Sequence, residues 1–157
     1  MARLLIIAVG HKLPAWADAA CAEFRKRLGR SLRLELLELR PEPRRSGRSV
    51  EQIVSAESVR ISAVVPTGAR RIVLDERGEA MTTRELAAAL QRWLGEGRDT
   101  AFVIGGADGL SAALKGSADA MLQLSAFTLP HALARVILLE QIYRAQSLLD
   151  NHPYHRE

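Results

Sequence analysis

Segment 3–9, RLLIIAV, is an apolar run broken only by its first residue, the pattern of a strand covered on both faces. After a turn at Gly10, His11 and Lys12, a helix from Pro14 to about Leu28 is expected. It carries Trp16, Ala20, Phe24 and Leu28 at helical spacing, with Gly29 as its stop. A strand over Leu32–Leu39 follows, and the two prolines and one glycine of RPEPRRSGR (40–48) predict irregular chain. Ser49 and Gln52 form a capping box for a second helix running to about Val64, before Pro66 and Gly68. A strand over Arg71–Asp75 leads to a second capping box, Thr82 with Glu85. The helix it starts places Leu86, Leu90 and Trp93 on one face and stops at Gly95 and Gly97. A buried strand, Thr100–Ile104, then a short helix capped by Ser111, a strand over Leu122–Leu129 and a last helix from about His131 to Leu149 complete the order. Strands alternating with helices argue for an α/β fold with a mostly parallel sheet and helices on both faces.

The stretch 100–131 carries the chemistry. Both of its strands end in loops, one at Gly105-Gly106 and one at Pro130, and ligands of open α/β sheets sit at the carboxyl ends of strands. Glycine there tolerates positive φ and lets a ligand approach the backbone. The spacing IGGxxG is not the dinucleotide fingerprint GxGxxG, and it lacks the lysine and hydroxyl of a P-loop, so a small-molecule pocket is expected. Leu74 and Asp75 emerge at the same edge. Asp75 can accept from a ribose hydroxyl, although an aspartate after a strand is more often a turn-former.

Composition changes this picture little. At 157 residues, with 48% hydrophobic and 25% charged, the chain is expected to be one domain, 1–157, with a sizeable core. No apolar run reaches membrane-spanning length, and MARLLIIAVGHK reads as a first strand, with no cleavage site after it. The lone Cys21 rules out an internal disulfide, which fits the cytoplasm, and packing in the core is its expected role. A formal charge of +4 and a pI near 9.8 make a polyanionic partner plausible. The 40–48 loop carries Arg40, Arg44, Arg45 and Arg48 against Glu42, either as a solvated loop or as an RNA-phosphate contact.

The last helix is apolar over more than one stripe: Leu133, Val136, Ile137, Leu139, Ile142, Tyr143, Leu148 and Leu149. Such a helix is deeply buried or shared with another subunit, so a homodimer through it is expected. Glu140 and Arg144 stand four apart in the favourable order for a pair. The tail 151–157, NHPYHRE, gathers two histidines, a tyrosine and an arginine. Such residues can stack on bases, hold phosphate and move a proton, although chain ends are usually loosely held.

Taken together, the opening AVGHKLPAW, RIVLD, IGGADGL, LSAFTLPH, RVILLEQIYRA and the terminal NHPYHRE closely resemble the bacterial ribosomal RNA large-subunit methyltransferase H family of the SPOUT class. The match spans essentially the whole chain. The resemblance implies a C-terminal trefoil knot, an exception to the rule that chains avoid knotting. It further implies S-adenosylmethionine bent within the knotted loops, no metal, and association of two subunits there. Carried over by motif, the cofactor positions are Leu74, Asp75, Gly105, Gly106 and the run Ser125, Ala126, Phe127, Thr128, Leu129 and Pro130. The implied reaction is methylation of N3 of a pseudouridine in large-subunit ribosomal RNA on assembled ribosomes. It requires alignment and removal of the N3 proton. His152, Tyr154, His155 and Arg156 are the catalytic candidates, with Arg144 as a further contact, and in a dimer they could reach the partner's cofactor. Asp108, in the variable pair of IGGxxG, can face solvent or alter the pocket mouth. No appended RNA-binding domain is expected, so target recognition falls to the dimer surface, including Arg25, Arg27, Arg30 and the 40–48 loop. The alternatives are a SPOUT enzyme with another ribosomal or transfer RNA target and a non-catalytic ribosome-associated factor. A flavodoxin-like or hydrolase reading finds no nucleophile elbow and no acidic metal cluster.

Overall fold

The computed structural model describes residues 2–10, 12–29, 32–45 and 47–155. Arg156, Arg30 and His11 lie outside them, so the expectations placed on those three residues do too. Five parallel strands form one sheet in the order β2-β1-β4-β3-β5. They are β1 (Leu4–Val9), β2 (Leu34–Leu39), β3 (Arg70–Ala80), β4 (Thr100–Ile104) and β5 (Ala120–Gln123). The helices are α1 (Ala15–Leu28), α2 (Val50–Val64), α3 (Thr83–Gly95), α4 (Ala112–Gly116) and α5 (His131–Leu149).

The central strands β1 and β4 are buried along their full length because both faces are covered, which is why they read as unbroken apolar runs. Leu4, Ile6, Ala8 and Phe102 point to a core shared with Cys21, Leu90, Trp93, Leu138 and Ile142 of α1, α3 and α5. Leu5, Ile7, Val9 and Val103 point the other way, to Ile61 of α2 and Leu114 of α4. Full burial of Leu138, Leu139 and Ile142 stabilises α5 against the sheet by roughly 1.5–3 kcal/mol per side chain. Both predicted capping boxes form: Ser49 Oγ accepts from Gln52 N–H, and Thr82 Oγ1 from Glu85 N–H. Their Gln52 and Glu85 side chains accept the reciprocal bonds.

Four expectations are corrected. The strand expected at Leu122–Leu129 ends at Gln123. Beyond it the Ser125 hydroxyl accepts from the Phe127 amide, a local turn that competes with strand pairing, and Pro130 instead caps α5. The Arg71–Asp75 strand is longer, Arg70–Ala80, but it bulges: Leu122 of β5 pairs first with Leu74 and again with Glu79. The buried face of α1 is Ala17, Cys21 and Leu28, whereas Trp16 is 56% exposed. Spacing alone could not tell which of two neighbouring stripes meets the sheet. Finally, β2 starts at Leu34, after Leu32 has closed a backbone bond to Leu28 O.

The bulge requires Gly78. A Cβ there would stand 2.6 Å from the Leu122 carbonyl carbon and 2.7 Å from Leu122 N, both backbone atoms. Gly78→Ala must therefore part β3 from β5, and a loss of about 1–3 kcal/mol is expected, the usual range for overpacking. Urea denaturation of the two proteins measures it, and equal midpoints would show that the bulge relaxes freely.

Candidate active site

At the β3 bulge and beyond the ends of β4 and β5, the chain surrounds a cavity of about 410 Å³. It is lined by Leu74, Asp75 and Glu76, by the glycine loop 104–110, and by Leu124, Ser125, Phe127, Thr128 and Leu129. His131 and Ala134 of α5 close one side. The volume is that of a site for one small organic molecule.

The β4 loop is compact because Gly109, at φ 80°, returns its N–H to Gly106 O at 3.0 Å. The positive φ that glycine tolerates is used here at Gly109 and not at Gly105 or Gly106. What Gly105 and Gly106 supply is room. A Cβ on Gly105 would lie 2.9 Å from Gly109 C and O and from Leu110 Cγ. On Gly106 it would lie 3.1 Å from Glu57 Oε1 and 3.2 Å from Val9 Cγ1. Helix α2 underpins this loop with two buried polar side chains, Glu57 and Ser58. Ser58 Oγ accepts from Ser111 N–H at 3.0 Å, and Glu57 Oε2 from Glu42 N–H at 2.9 Å. Ser111 in turn caps α4 by accepting from Leu114 N–H.

Asp75 faces the cavity beside Lys115 of α4, Nζ to Oδ2 2.8 Å, and also accepts from Arg77 N–H. Burial is the largest influence and opposes ionisation, but the Lys115 and Arg77 bonds together outweigh it and hold the carboxyl below its ordinary value of 3.8. A carboxylate whose folded pKa is depressed contributes stability above its unfolded pKa, and that contribution is lost as pH falls through the folded value. Asp75 thus stays ionised to below pH 3.8. Lys115→Met is expected to shift its titration upward, so that acid destabilisation begins at higher pH; carboxyl NMR titration reads it directly.

The α5 wall is held from beneath. Arg135, 1% exposed, donates to Glu38 Oε2 at 2.6 Å and to Gly10 O at 2.8 Å, tying the first turns of α5 to the ends of β2 and β1.

Of the residues singled out in the sequence, Leu74, Asp75, Gly105, Gly106, Ser125, Phe127, Thr128 and Leu129 come together around the cavity, while Ala126 and Pro130 do not line it. His152, Tyr154 and His155 do not line it. Tyr154 packs on Tyr143 of α5, ring centroids 4.5 Å apart and planes inclined at 58°, with the Arg144 guanidinium 4.8 Å and the Arg27 guanidinium 5.9 Å from its ring centre. Tyr143 lies three turns along α5 from His131, about 18 Å at ~1.5 Å per residue. Arg144 also pairs with Glu140 as its spacing predicted, at 2.9 Å. The His152 N–H caps Ser147 O, and its Nδ1 accepts from Tyr154 N–H. His155 lines a second hollow with Thr83, Arg84, Glu140 and Gln141. Sequence reasoning missed Lys115, Glu57, Ser58, Arg135 and His131. His131 and Arg135 carried a signal, the first in its place directly after Pro130 in the motif LPH and the second as the opening residue of RVILLEQIYRA.

The described residues contain no group of three or more His, Cys, Asp or Glu that could hold a metal ion, and no helix long and apolar enough to cross a membrane. Residues 2–155 match the family model described as "Predicted SPOUT methyltransferase". A protein of Nitrosospira multiformis named "Ribosomal RNA large subunit methyltransferase H" is 53% identical over 154 residues, covering 98% of this chain and 99% of its own. A protein of the same name from Chromobacterium violaceum is 54% identical over 155 residues, covering 99% of each chain. A probable methyltransferase from Bordetella pertussis superposes with a TM-score of 0.58 at 19% identity, covering 92% of this chain and 96% of its own, a likeness of fold. With the family model matched from end to end and relatives this similar at full length, the chain belongs to the SPOUT methyltransferases, in the ribosomal RNA large subunit methyltransferase H family.

Proposed function

We propose that this protein transfers a methyl group from S-adenosylmethionine to N3 of a pseudouridine in large-subunit ribosomal RNA, acting on assembled ribosomes in the cytoplasm. In this reading the 157 residues form one knotted domain that works as a homodimer. The observation that carries it is the convergence of the β3 bulge and the ends of β4 and β5 on one cavity of small-molecule size, in a chain whose full-length relatives are named for methylation of large-subunit ribosomal RNA.

The cavity fits the donor. Gly105 and Gly106 leave space that a Cβ would fill, so main-chain groups can approach a ligand closely. Asp75, ionised at neutral pH, offers acceptor oxygens to ribose hydroxyls. Main-chain groups of Thr128 and Leu129, which line the cavity, can meet an adenine edge. When bound, the donor supplies a methyl group already activated by its sulfonium. The protein's part is to hold nitrogen, methyl carbon and sulfur in line and to assist loss of the N3 proton. Tyr154 and Arg156 position the base, and the cations gathered at Tyr154 favour the deprotonated imide electrostatically. His152 stands beside Tyr154, its Nδ1 accepting from the Tyr154 N–H, and His155 follows Tyr154 in the chain.

In one subunit the tail packs about three helical turns from the α5 end of the cavity, so each complete site combines the cavity of one subunit with the tail of the other. Support for the dimer comes from α5, where Leu133, Val136 and Ile137 stay only partly buried after α1 and α3 have packed on it. Phe127, 84% exposed at the cavity mouth, also gains cover from a second subunit.

The test is transfer of radiolabelled methyl from S-adenosylmethionine to ribosomes from a strain lacking this gene, followed by nucleoside analysis. Labelled 3-methylpseudouridine in large-subunit RNA is expected. Label in another nucleoside would discard the target but keep the chemistry, and ribosome binding without label would replace the enzyme with an assembly factor.

A further inference from the structure

The arginine loop 40–48 is joined to the wall of the cavity rather than free in solvent. Arg44 forms an ion pair with Asp108, and Asp108 is part of the glycine loop that lines the cavity. Glu42 gathers Arg48 and Arg60, while its own N–H donates to Glu57 Oε2. The other oxygen of Glu57 is the atom against which Gly106 packs. Two routes therefore run from this loop to the glycine loop, one through Arg44 and Asp108, the other through Glu42 and Glu57. The two are not alike. Glu57 is buried and its contact is to backbone, a fixed anchor, whereas Arg44 and Asp108 meet at the surface, with side chains 53% and 24% exposed. Arg40 and Arg45 flank this pair, exposed and without an ion pair among the described residues.

We propose that the 40–48 loop is the phosphate-docking element for ribosomal RNA, and that Arg44 exchanges Asp108 for a backbone phosphate when the RNA binds. The proposal rests on the reading of the protein as a ribosomal RNA methyltransferase and adds the surface that holds the substrate. The chemistry favours exchange. A guanidinium pairs bidentately with phosphate as readily as with carboxylate, and phosphates of a folded RNA arrive in a row that Arg40, Arg44 and Arg45 can each meet. An exposed ion pair is weak enough to be given up. Asp108 is then an internal competitor for RNA, and its release at the cavity mouth links occupation of the RNA surface to the loop that lines the donor site.

Exchange predicts opposite signs for the two partners, where a mere loop tether predicts the same sign. Ribosome binding by the full-length protein, measured across a salt series, reads both. Arg44→Gln is expected to weaken binding and to reduce the slope of log K against log salt by about 0.7–0.9, the loss of one phosphate contact. Asp108→Asn is expected to tighten binding by roughly two- to five-fold, the scale of an exposed ion pair. The double variant should behave as Arg44→Gln alone. Arg40→Gln with Arg45→Gln should lower the slope whether or not Asp108 is present. Weaker binding by Asp108→Asn, or an unchanged slope for Arg44→Gln, would overturn the exchange. Wild-type protein that binds ribosomes with these slopes but transfers no methyl group would instead overturn the enzymatic reading and leave the docking surface standing.

Discussion

Gly105→Val is expected to lower affinity for S-adenosylmethionine by about ten-fold or more, with methyl transfer falling in step. The first atom of the new side chain already meets Gly109 C, Gly109 O and Leu110 Cγ at 2.9 Å, closer than real Cβ contacts come. Two of these atoms are backbone in a turn held by the Gly109 N–H to Gly106 O bond, so they cannot swing aside as a flexible side chain would. The glycine loop must move, and it moves at the cavity wall. Overpacking of about 1–3 kcal/mol is enough to displace the loop, and restoring the loop to the donor-binding position would draw on a comparable free energy, at least several-fold in affinity. Gly116→Ala is the matched control, because its Cβ would meet nothing within 4 Å. Calorimetric titration with the donor separates the two, and a Gly105 variant binding as tightly as the control would remove this loop from the donor site.

Deleting residues 151–157 is expected to cut methyl transfer by roughly a hundred-fold or more, the range that a positioned catalytic group supplies, while donor affinity stays within about two-fold. The separation follows from geometry: no described tail residue lines the cavity, so the donor loses no contact from the described part of its own subunit's tail, 151–155. Some stability goes with the tilted Tyr154–Tyr143 ring contact, about 0.5–1.5 kcal/mol, too little to unfold the chain. Mixing the tail-deleted protein with Gly105→Val then tests the shared site. Random reassociation makes half of the dimers mixed, and each mixed dimer has one intact cavity facing one intact tail, so about a quarter of wild-type activity should return. No recovery, with subunit exchange confirmed, would place tail and cavity of the same chain in one site.

The match between sequence and structure follows the range of the interactions involved. Capping boxes at Ser49 and Thr82 were legible because both partners lie within one turn. The runs of β1 and β4 were legible because a strand covered on both faces has no polar side to show. Of the proposed donor site, the motif segments at 74–75, 105–106 and 125–129 stood out in the chain. Their supports did not. Glu57 and Ser58 look like the polar face of a helix, and only the crossing of α2 beneath the glycine loop buries them. Lys115 becomes a cavity residue because α4 places it 2.8 Å from Asp75, forty positions away in the chain.

By itself, then, the sequence determined the alternation of strands and helices, the helix starts, the glycine loop after β4 and the family, since all of these rest on local pattern and motif. Tertiary structure alone decided the β3 bulge at Gly78, the buried stripe of α1, the early end of β5 and the attachment of the arginine loop to Asp108. Each of these depends on which distant segment arrives opposite: Leu122 against Gly78, the sheet against Cys21 rather than Trp16, and Asp108 against Arg44. Contacts across so many residues leave no periodic trace in the chain.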